Sequence, residues 1–453
     1  MTLTTRTLLT RTMPIIALLA RVAHADPASE PQAPSWLAGT PRTPDLEHKV
    51  EGIFPDALPL IAYDPNTGLG LGVGGHLTID GPRNDALFDY APYQHRLYLQ
   101  IYATTLGYQG HFLSYDGIFV GHSPYHINAV FFYERNTYAN YFGNGQSTLS
   151  NLNFRGQSFQ TYEEAASVAG PRYYHYGYER PQGQVTIERP FFGGKVRVHY
   201  GINVQYVDVT VQDSVFALNP ASGGPSPTVP STKLGADCAT GAAVDCNGGW
   251  NNLLRTGIAY DTRDYAPDPK SGVFLDATGQ WSAKAFGSTE NYVRLTTAAR
   301  FYVSPFPKLT DLVLAVRGLY SVQSANVPFY AMNNLAMGTG TDDVTGQQGL
   351  GGERTLRGYR QDRFIGHVDA AFNAELRWTF AKFDLLKQHF SLQVAPIFDA
   401  GTVFDRVTLA PSTWKVDGGG ALRIGWNQST IIMLDFAASK EDVGEYIDFG
   451  MPF

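Results

Sequence analysis

The chain lacks most of the features on which soluble enzymes and helical membrane proteins are built. No run reaches the roughly 18 uninterrupted apolar residues of a membrane-crossing helix. Helical periodicity cannot be traced in any segment. Only two of the 453 residues are cysteine, Cys238 and Cys246, and the loop that holds them has no histidine. A metal site would need two more ligands nearby, so the pair is expected to close a small disulfide ring, with no metal or cofactor. Charged residues make up only 17%, the net charge is -7, and no basic run occurs, which argues against nucleic acid as a partner. Neither HExxH nor CxxC is present, and no nucleophile has a convincing base, so no enzymatic activity is expected.

What is present points to strands. Aromatic residues make up 13% and there are 47 glycines, while mean hydropathy is -0.18. That balance fits an outer-membrane β-barrel, whose outer face is apolar and whose lumen is polar. Length alone would suggest about three domains, but one large barrel can take up most of the chain. Arg6 and Arg11 precede an apolar stretch from Met13 to Ala20 and a small-x-small site, Ala23-His24-Ala25. Although Arg21 interrupts it, residues 1–25 read as a secretory signal peptide. Residues 26–55, rich in Pro, Ala and Ser, read as a periplasmic linker, and 56–453 as the barrel.

Strands are expected near 58–63, 68–79, 94–105, 107–119, 125–137, 182–192, 194–212, 250–263, 272–284, 289–304, 309–324, 367–381, 389–404, 414–426, 429–439 and 446–453. These make sixteen antiparallel strands. Turns after even strands are mostly short, such as His122-Ser123-Pro124 and Asn427-Gln428, whereas the long connections (138–181, 213–249, 325–366) follow odd strands. Bacterial barrels have short periplasmic turns and long extracellular loops, so both termini are expected in the periplasm. The expected strand 367–381 carries His367, Asp369, Asn373, Glu375, Arg377 and Thr379 on one face. Val368, Ala370, Phe372, Ala374, Leu376, Trp378 and Phe380 fall on the other. The last expected strand closes on Phe453, as outer-membrane barrels commonly end.

The sixth extracellular loop contains Gly351-Gly352-Glu353-Arg354-Thr355-Leu356-Arg357-Gly358-Tyr359. Inside a barrel a guanidinium cannot face lipid and is costly to bury alone. The loop is therefore expected to fold into the lumen, with Arg357 pairing with Asp399 and Glu375 as second choice. Asp435, which shares a face with Ser439, is a further lumen acid. Gly358 would allow the tight turn and Tyr359 would wedge against the wall. The alternative is a solvated surface loop with an incidental arginine. Gly68, Gly70, Gly72 and Gly74 read as a glycine-lined strand face rather than a phosphate loop, because no helix follows. Gly121-His122-Ser123-Pro124 reads as a turn rather than part of a hydrolase elbow. Arg294, Arg300, Arg317 and Arg377 would line the lumen, as solvated charge or as an anion-attracting strip.

Leu356-Arg357-Gly358-Tyr359 resembles the loop motif of the BamA/TamA superfamily of outer-membrane assembly and polypeptide-secretion barrels, also called bacterial surface antigens. Phe398-Asp399-Ala400-Gly401-Thr402-Val403 resembles the family's partner strand, and Asn373-Ala374-Glu375-Leu376-Arg377 is similar to its strand-twelve pattern. Pro65-Asn66-Thr67-Gly68-Leu69-Gly70 and Asp261-Thr262-Arg263-Asp264 resemble further family stretches, and Tyr141-Phe142-Gly143-Asn144-Gly145 does so more weakly. The likeness covers most of the chain after about residue 55 and is most specific in its last third. It implies a sixteen-stranded transmembrane barrel in the bacterial outer membrane, plugged by its sixth loop, in contact with outer-membrane lipid. It further implies non-enzymatic insertion or secretion of a protein or lipid substrate, with an unfolded outer-membrane or secreted protein as client. Family members are thought to open laterally between their first and last strands. Family members also usually carry POTRA domains, and the stretch before the expected barrel is too short for one. Client capture would then fall to a separate periplasmic partner. The competing expectation is a passive outer-membrane channel for small solutes.

Overall fold

The computed structural model describes residues 34–37, 49–64, 67–170, 172–211, 232–265, 268–335, 349–385, 388–407, 413–426, 430–449, 451 and 453. The expected signal segment, most of the expected linker, Pro65-Asn66 and the Asn427-Gln428 turn lie outside these residues. The strands are β1 (Gly52–Asp64), β2 (Gly68–Gly81), β3 (His95–Thr104), β4 (Gln109–Gly117), β5 (His126–Asn140), β6 (Leu152–Phe154) and β7 (Gln157–Phe159). They continue with β8 (His175–Phe191), β9 (Val196–Thr210), β10 (Gly248–Trp250), β11 (Leu253–Asp261), β12 (Gly272–Ser282) and β13 (Tyr292–Val303). The last six are β14 (Leu312–Gln323), β15 (Val368–Leu385), β16 (Gln388–Phe404), β17 (Lys415–Trp426), β18 (Thr430–Ala438) and β19 (Val443–Phe449).

Seventeen of these segments join one antiparallel sheet, and β6 and β7 make a separate small hairpin. Apart from that hairpin, pairing follows chain order. β10 and β11 both pair with β9, at Gly248↔Asp208 and Leu253↔Asn203. Between them Asn251 N donates to Gln205 O at 2.8 Å, so the two short segments continue one line along β9. A single strand expected over 250–263 is thus interrupted at 251–252.

Burial follows a period of two, which is why these residues form strands whose two faces meet different surroundings. In β13, Tyr292, Arg294, Thr296, Ala298, Arg300 and Tyr302 are buried while Val293, Leu295, Phe301 and Val303 are exposed. In β15, Asp369, Asn373, Glu375 and Arg377 are buried and Phe372, Leu376, Trp378 and Phe380 exposed. Polar groups inside and large apolar groups outside invert the pattern of a water-soluble protein. Among the described residues, no helix is long and apolar enough to cross a membrane.

Two differences from the expected elements lie at the ends of the sheet. Strand pairing begins at Gly52, with Ile53 opposite Ile79 and Phe54 opposite Thr78, ahead of the 58–63 strand read from composition. Lys49 precedes it and donates to Phe88 O and Ala91 O at 3.0 and 2.8 Å, so the chain is already fixed before β1. At the other end the regular strand covers Val443–Phe449 rather than 446–453, and the Phe453 ring lies near the Arg317 and Arg377 guanidiniums at 4.9 and 5.2 Å.

The long connections also contain helices that periodicity did not reveal: α1 (Tyr162–Ala169), α2 (Lys233–Thr240) and α3 (Phe329–Met332). Two turns or fewer are too short to display an apolar stripe; their ends define them instead. Thr161 and Glu164 form a reciprocal capping box on α1, and Thr232 Oγ1 accepts from Gly235 N at 3.1 Å on α2. A disulfide joins Cys238 in α2 to Cys246 just before β10, with Cα atoms 6.0 Å apart. Around it Tyr141, Tyr176, Leu234, Phe329, Tyr330 and Met332 form the largest apolar cluster, made mostly by the long connections.

Candidate functional site

The loop between β14 and β15 packs against the sheet and anchors itself before it reaches Arg357. Leu350 and Phe364 bridge its two limbs, and Gly352 N donates to Tyr359 O at 3.0 Å. Leu350, Leu356, Tyr359 and Phe364 pack with Leu319, Ala371 and Val403 of the sheet. Gly358 is required by close approach: a Cβ there would lie 2.6 Å from Asp417 Cβ and 2.8 Å from the Ala438 carbonyl carbon. Tyr359 donates from its hydroxyl to Val416 O at 3.3 Å and meets the Phe364 ring edge-on.

Arg357, only 1% exposed, enters a cluster of three carboxylates on three strands. Its Nε and Nη2 donate to the two oxygens of Asp399 on β16, at 2.8 and 2.9 Å. Nη1 donates to Asp435 on β18 at 2.8 Å and to Glu375 on β15 at 2.5 Å. The fork on Asp399 is the bidentate geometry in which arginine binds a carboxylate most strongly. Burial by itself lowers the Arg357 pKa, but Glu375, Asp399 and Asp435 outweigh it and hold the guanidinium well above its ordinary value. The charge of Arg357 is permanent here.

Sequence reasoning named these acids and placed Arg377 on the face of Glu375, but it missed Arg423 and the pairing of both cations with the acids. Arg377 Nε donates to Glu375 at 2.7 Å, and Arg423 on β17 donates to both oxygens of Asp435. Asn373 Nδ2 bridges Thr355 O and Asp399 Oδ1, at 2.6 and 2.7 Å, and Arg317 Nη2 donates to Asn373 Oδ1 at 2.7 Å. Asp417 lies directly opposite Asp399 in the β16–β17 register and is 5% exposed. Inward alternation on β17 could have flagged Arg423 and Asp417; nothing local in the sequence says which carboxylate each would face.

Two more loop arginines grip the turn between β18 and β19. Arg363, 1% exposed, pairs with Glu441 and donates to Thr148 O and Ser150 O at 2.8 and 3.0 Å. Arg360 pairs with Asp442 at 2.8 Å and lies 3.8 Å from the Tyr162 ring centroid. Arg357, Arg360 and Arg363 therefore all reach the last hairpin. The spacing of three was visible in the sequence, but its partners lie about eighty residues away.

The remaining sequence candidates have structural roles. Arg294 contacts Gln280 and Gln323, Arg300 pairs with Asp276, and Arg317 and Arg377 join the network above. All four face the buried side and are engaged by protein acceptors, which leaves them poorly placed to act as an open anion strip. The glycine face of β2 receives tyrosine side chains from β3: a Cβ on Gly74 would meet Tyr98 Oη at 2.8 Å. The 121–124 segment is a turn in which Ser123 Oγ donates to Val120 O at 2.6 Å. No group of side chains suited to hold a metal occurs among the described residues.

An Omp85 superfamily domain matches residues 121–449, nearly three quarters of the chain. The chain belongs to the Omp85 superfamily. A domain of unknown function (DUF5982) matches residues 42–94 of this Omp85 chain, which include β1 and β2. No curated protein matches it. Among solved structures it is similar to BamA from Haemophilus ducreyi lacking POTRA domains 1-3, at 14% identity and TM-score 0.48, over 88% of this chain and 68% of that one. It is also similar to CdiB from Escherichia coli at 9% identity and TM-score 0.48, and to CdiB from Acinetobacter baumannii at 12% and 0.46. Each comparison covers 88% of this chain, but only 61% and 59% of the two CdiB chains.

Proposed function

We propose that this Omp85 chain is an outer-membrane barrel that inserts or exports a polypeptide without catalysing a reaction. In this reading residues 1–25 direct export, a short periplasmic linker follows, and the strands close into a sixteen-stranded barrel. Counting β10 and β11 as one interrupted strand supports that number. The polar buried faces form the lumen, the exposed apolar faces meet lipid, and the Arg357 loop is an internal plug.

One observation carries the proposal. A buried arginine at the tip of a long loop is held by carboxylates on β15, β16 and β18. A loop this firmly anchored against the buried wall obstructs a static pore, so passage requires its rearrangement or an opening elsewhere in the wall. The opening is assigned to the junction of β1 and β19. No strand register joins the two among the described residues, whereas each pairs fully with its other neighbour. A substrate there would meet two strand edges that no register joins, and lipid.

The test is a quantitative outer-membrane proteome after gene deletion, rescued with wild type or Arg357→Ala. Selective loss of one or a few surface proteins, restored by wild type but not by the variant, supports the proposal. An unchanged proteome rejects it, and a steady open wild-type pore in planar bilayers would replace it with a solute channel.

A further inference from the structure

The ring closed by Cys238 and Cys246 touches both limbs of the Arg357 loop. On the outgoing limb, Val244 O accepts from Phe329 N at 3.1 Å, an amide in the first turn of α3 that has no partner within the helix. Beside it Asp245 accepts from the Tyr330 hydroxyl at 2.6 Å. The returning limb is reached through residues 140–146. Tyr141 donates from its hydroxyl to Asp237 at 2.9 Å, and Asn144 Nδ2 donates to Ala242 O at 3.1 Å. The same segment holds the loop: Gly145 N donates to Ile365 O at 2.7 Å, and Asn140 Nδ2 to Gln361 O at 3.0 Å. Gly145 has φ +76°, and a Cβ there would lie 2.0 Å from Asp405 Oδ1, so the segment is itself wedged in place.

The grip depends on the shape of the ring. Ala242 N and Ala243 N both donate to Asp237 O, at 2.8 and 3.2 Å, which fixes the turn carrying the Ala242 and Val244 carbonyls. Asp245 has φ +62°, a backbone conformation that a non-glycine residue keeps only where its surroundings impose it. Both α2 and α3 are too short to persist by themselves. The disulfide is the covalent limit on this turn, because closing a loop removes freedom that the open chain recovers. The tip of the Arg357 loop is held separately, by charge, at Glu375, Asp399 and Asp435.

We propose that the Cys238–Cys246 ring is a redox-sensitive clasp on the two limbs of the Arg357 loop. Both cysteines are half-buried, so a small thiol reaches the bond. A dithiol supplies the two electrons: one of its sulfurs attacks, a mixed disulfide forms, and its second sulfur resolves it. Cys238 and Cys246 each end as a thiol, taking the two protons of the dithiol, which becomes a cyclic disulfide. The opened ring loses its hold on Phe329 directly and on Ile365 through Asn144. The consequence for passage rests on the plug reading above, in which the ring faces the cell exterior, where disulfides persist. The loop then has two separate holds, one set covalently at its limbs and one electrostatic at its tip.

The experiment uses full-length protein in outer-membrane vesicles, with and without dithiothreitol, read by hydrogen exchange. Cys238 and Cys246 are the only cysteines of the chain, so the reagent acts at one bond. Reduction should raise exchange at least about tenfold in 329–332 and in 361–365, and leave β15–β18 unchanged. It acts on protein already folded, so the test does not depend on the folding of a variant with Cys238→Ser and Cys246→Ser. Asn144→Ala, with the ring intact, should raise exchange in 361–365 but not in 329–332. Reducing that variant should add little in 361–365, since both changes break one path. No rise in either limb, or a rise confined to 238–246, overturns the clasp. An equal rise across β15–β18 does so too, because it reports general loosening. Bilayer conductance separates the two readings: if exchange rises in both limbs while conductance stays fixed, the clasp stands and the plug fails.

Discussion

The wall formed by β15–β19 and the wall formed by β1–β3 solve the same packing problem in opposite ways. In the first, buried side chains are charged and interlocked: Arg357, Arg377 and Arg423 share Glu375, Asp399 and Asp435. In the second, inward positions are glycines, and Tyr98 and Tyr102 from the neighbouring strand fill the space they leave. A charge network tolerates only one register, since a slip of one residue would turn Glu375 or Asp399 toward the exposed face. A glycine–tyrosine wall is specified by shape alone, and glycine-rich strands hold register weakly. The rigid half holds the Arg357 loop, and the softer half lies on the other side of the proposed opening.

The largest expected effect would break this contrast at its anchor. Arg357→Ala leaves three buried carboxylates short of a cation, with a cost on the order of 3–5 kcal/mol. The thermal midpoint should fall, bilayer conductance should become larger or noisier, and protease cleavage in 349–366 should increase. Unchanged midpoint and traces would show that the network does not hold the loop.

The next prediction concerns pH. Asp362, inside the loop, accepts from Gly349 N and Asn333 Nδ2 at 2.6 and 2.9 Å. Burial raises its pKa to about 6, against the lowering effect of those bonds. The folded state therefore retains the Asp362 proton at pH values where the unfolded chain, near the ordinary 3.8, has lost it. Stability from this group is complete below about pH 4 and is lost as pH rises through about 6, with a total on the order of 3 kcal/mol. Asp362→Asn should remove that loss, so the variant gains thermal stability over wild type at pH 7 relative to pH 4. A difference that does not vary with pH would refute the assignment.

A smaller effect sharpens the other side of the comparison. Gly72→Val places a Cβ 2.4 Å from Ile101 O, a backbone atom that moves only with its strand. Overpacking of this kind costs about 1–3 kcal/mol. Hydrogen exchange should rise in β1–β3 and remain unchanged in β15–β18. Equal rises in both walls would show that they are not mechanically separate.

The smallest effect comes from Arg360→Ala. Its partner Asp442 is partly exposed, so the lost pair contributes roughly 0.2–1 kcal/mol. Exchange should rise locally around 439–446, with no shift of the thermal midpoint beyond a degree or two. A large midpoint drop would mean that this pair is far stronger than its exposure implies.

Strand content and buried face were legible because alternation reports them residue by residue, as in 369–380 and 293–303, although Val368, expected on the exposed face, is buried. The need of Arg357 for a carboxylate was legible as well, since a buried guanidinium without one is too costly. Short helices escaped because capping by Thr161 or Thr232 leaves no periodic trace. The early start of β1 escaped because the Pro-, Ala- and Ser-rich stretch up to Pro55 reads as linker, although Pro55 pairs opposite Leu77.

By itself the sequence determined a two-faced sheet with long connections, and an arginine loop that must find acids inside it. Period and burial cost are local properties of consecutive residues. Only the tertiary structure decided that Asp399, Glu375 and Asp435 are engaged together and that Arg423 and Arg377 balance them. It also decided that Arg360 and Arg363 close on Asp442 and Glu441. The first of those pairings join Arg357 to residues 18, 42 and 78 positions away on three different strands, and charge recognition acts across space without leaving a spacing rule along the chain.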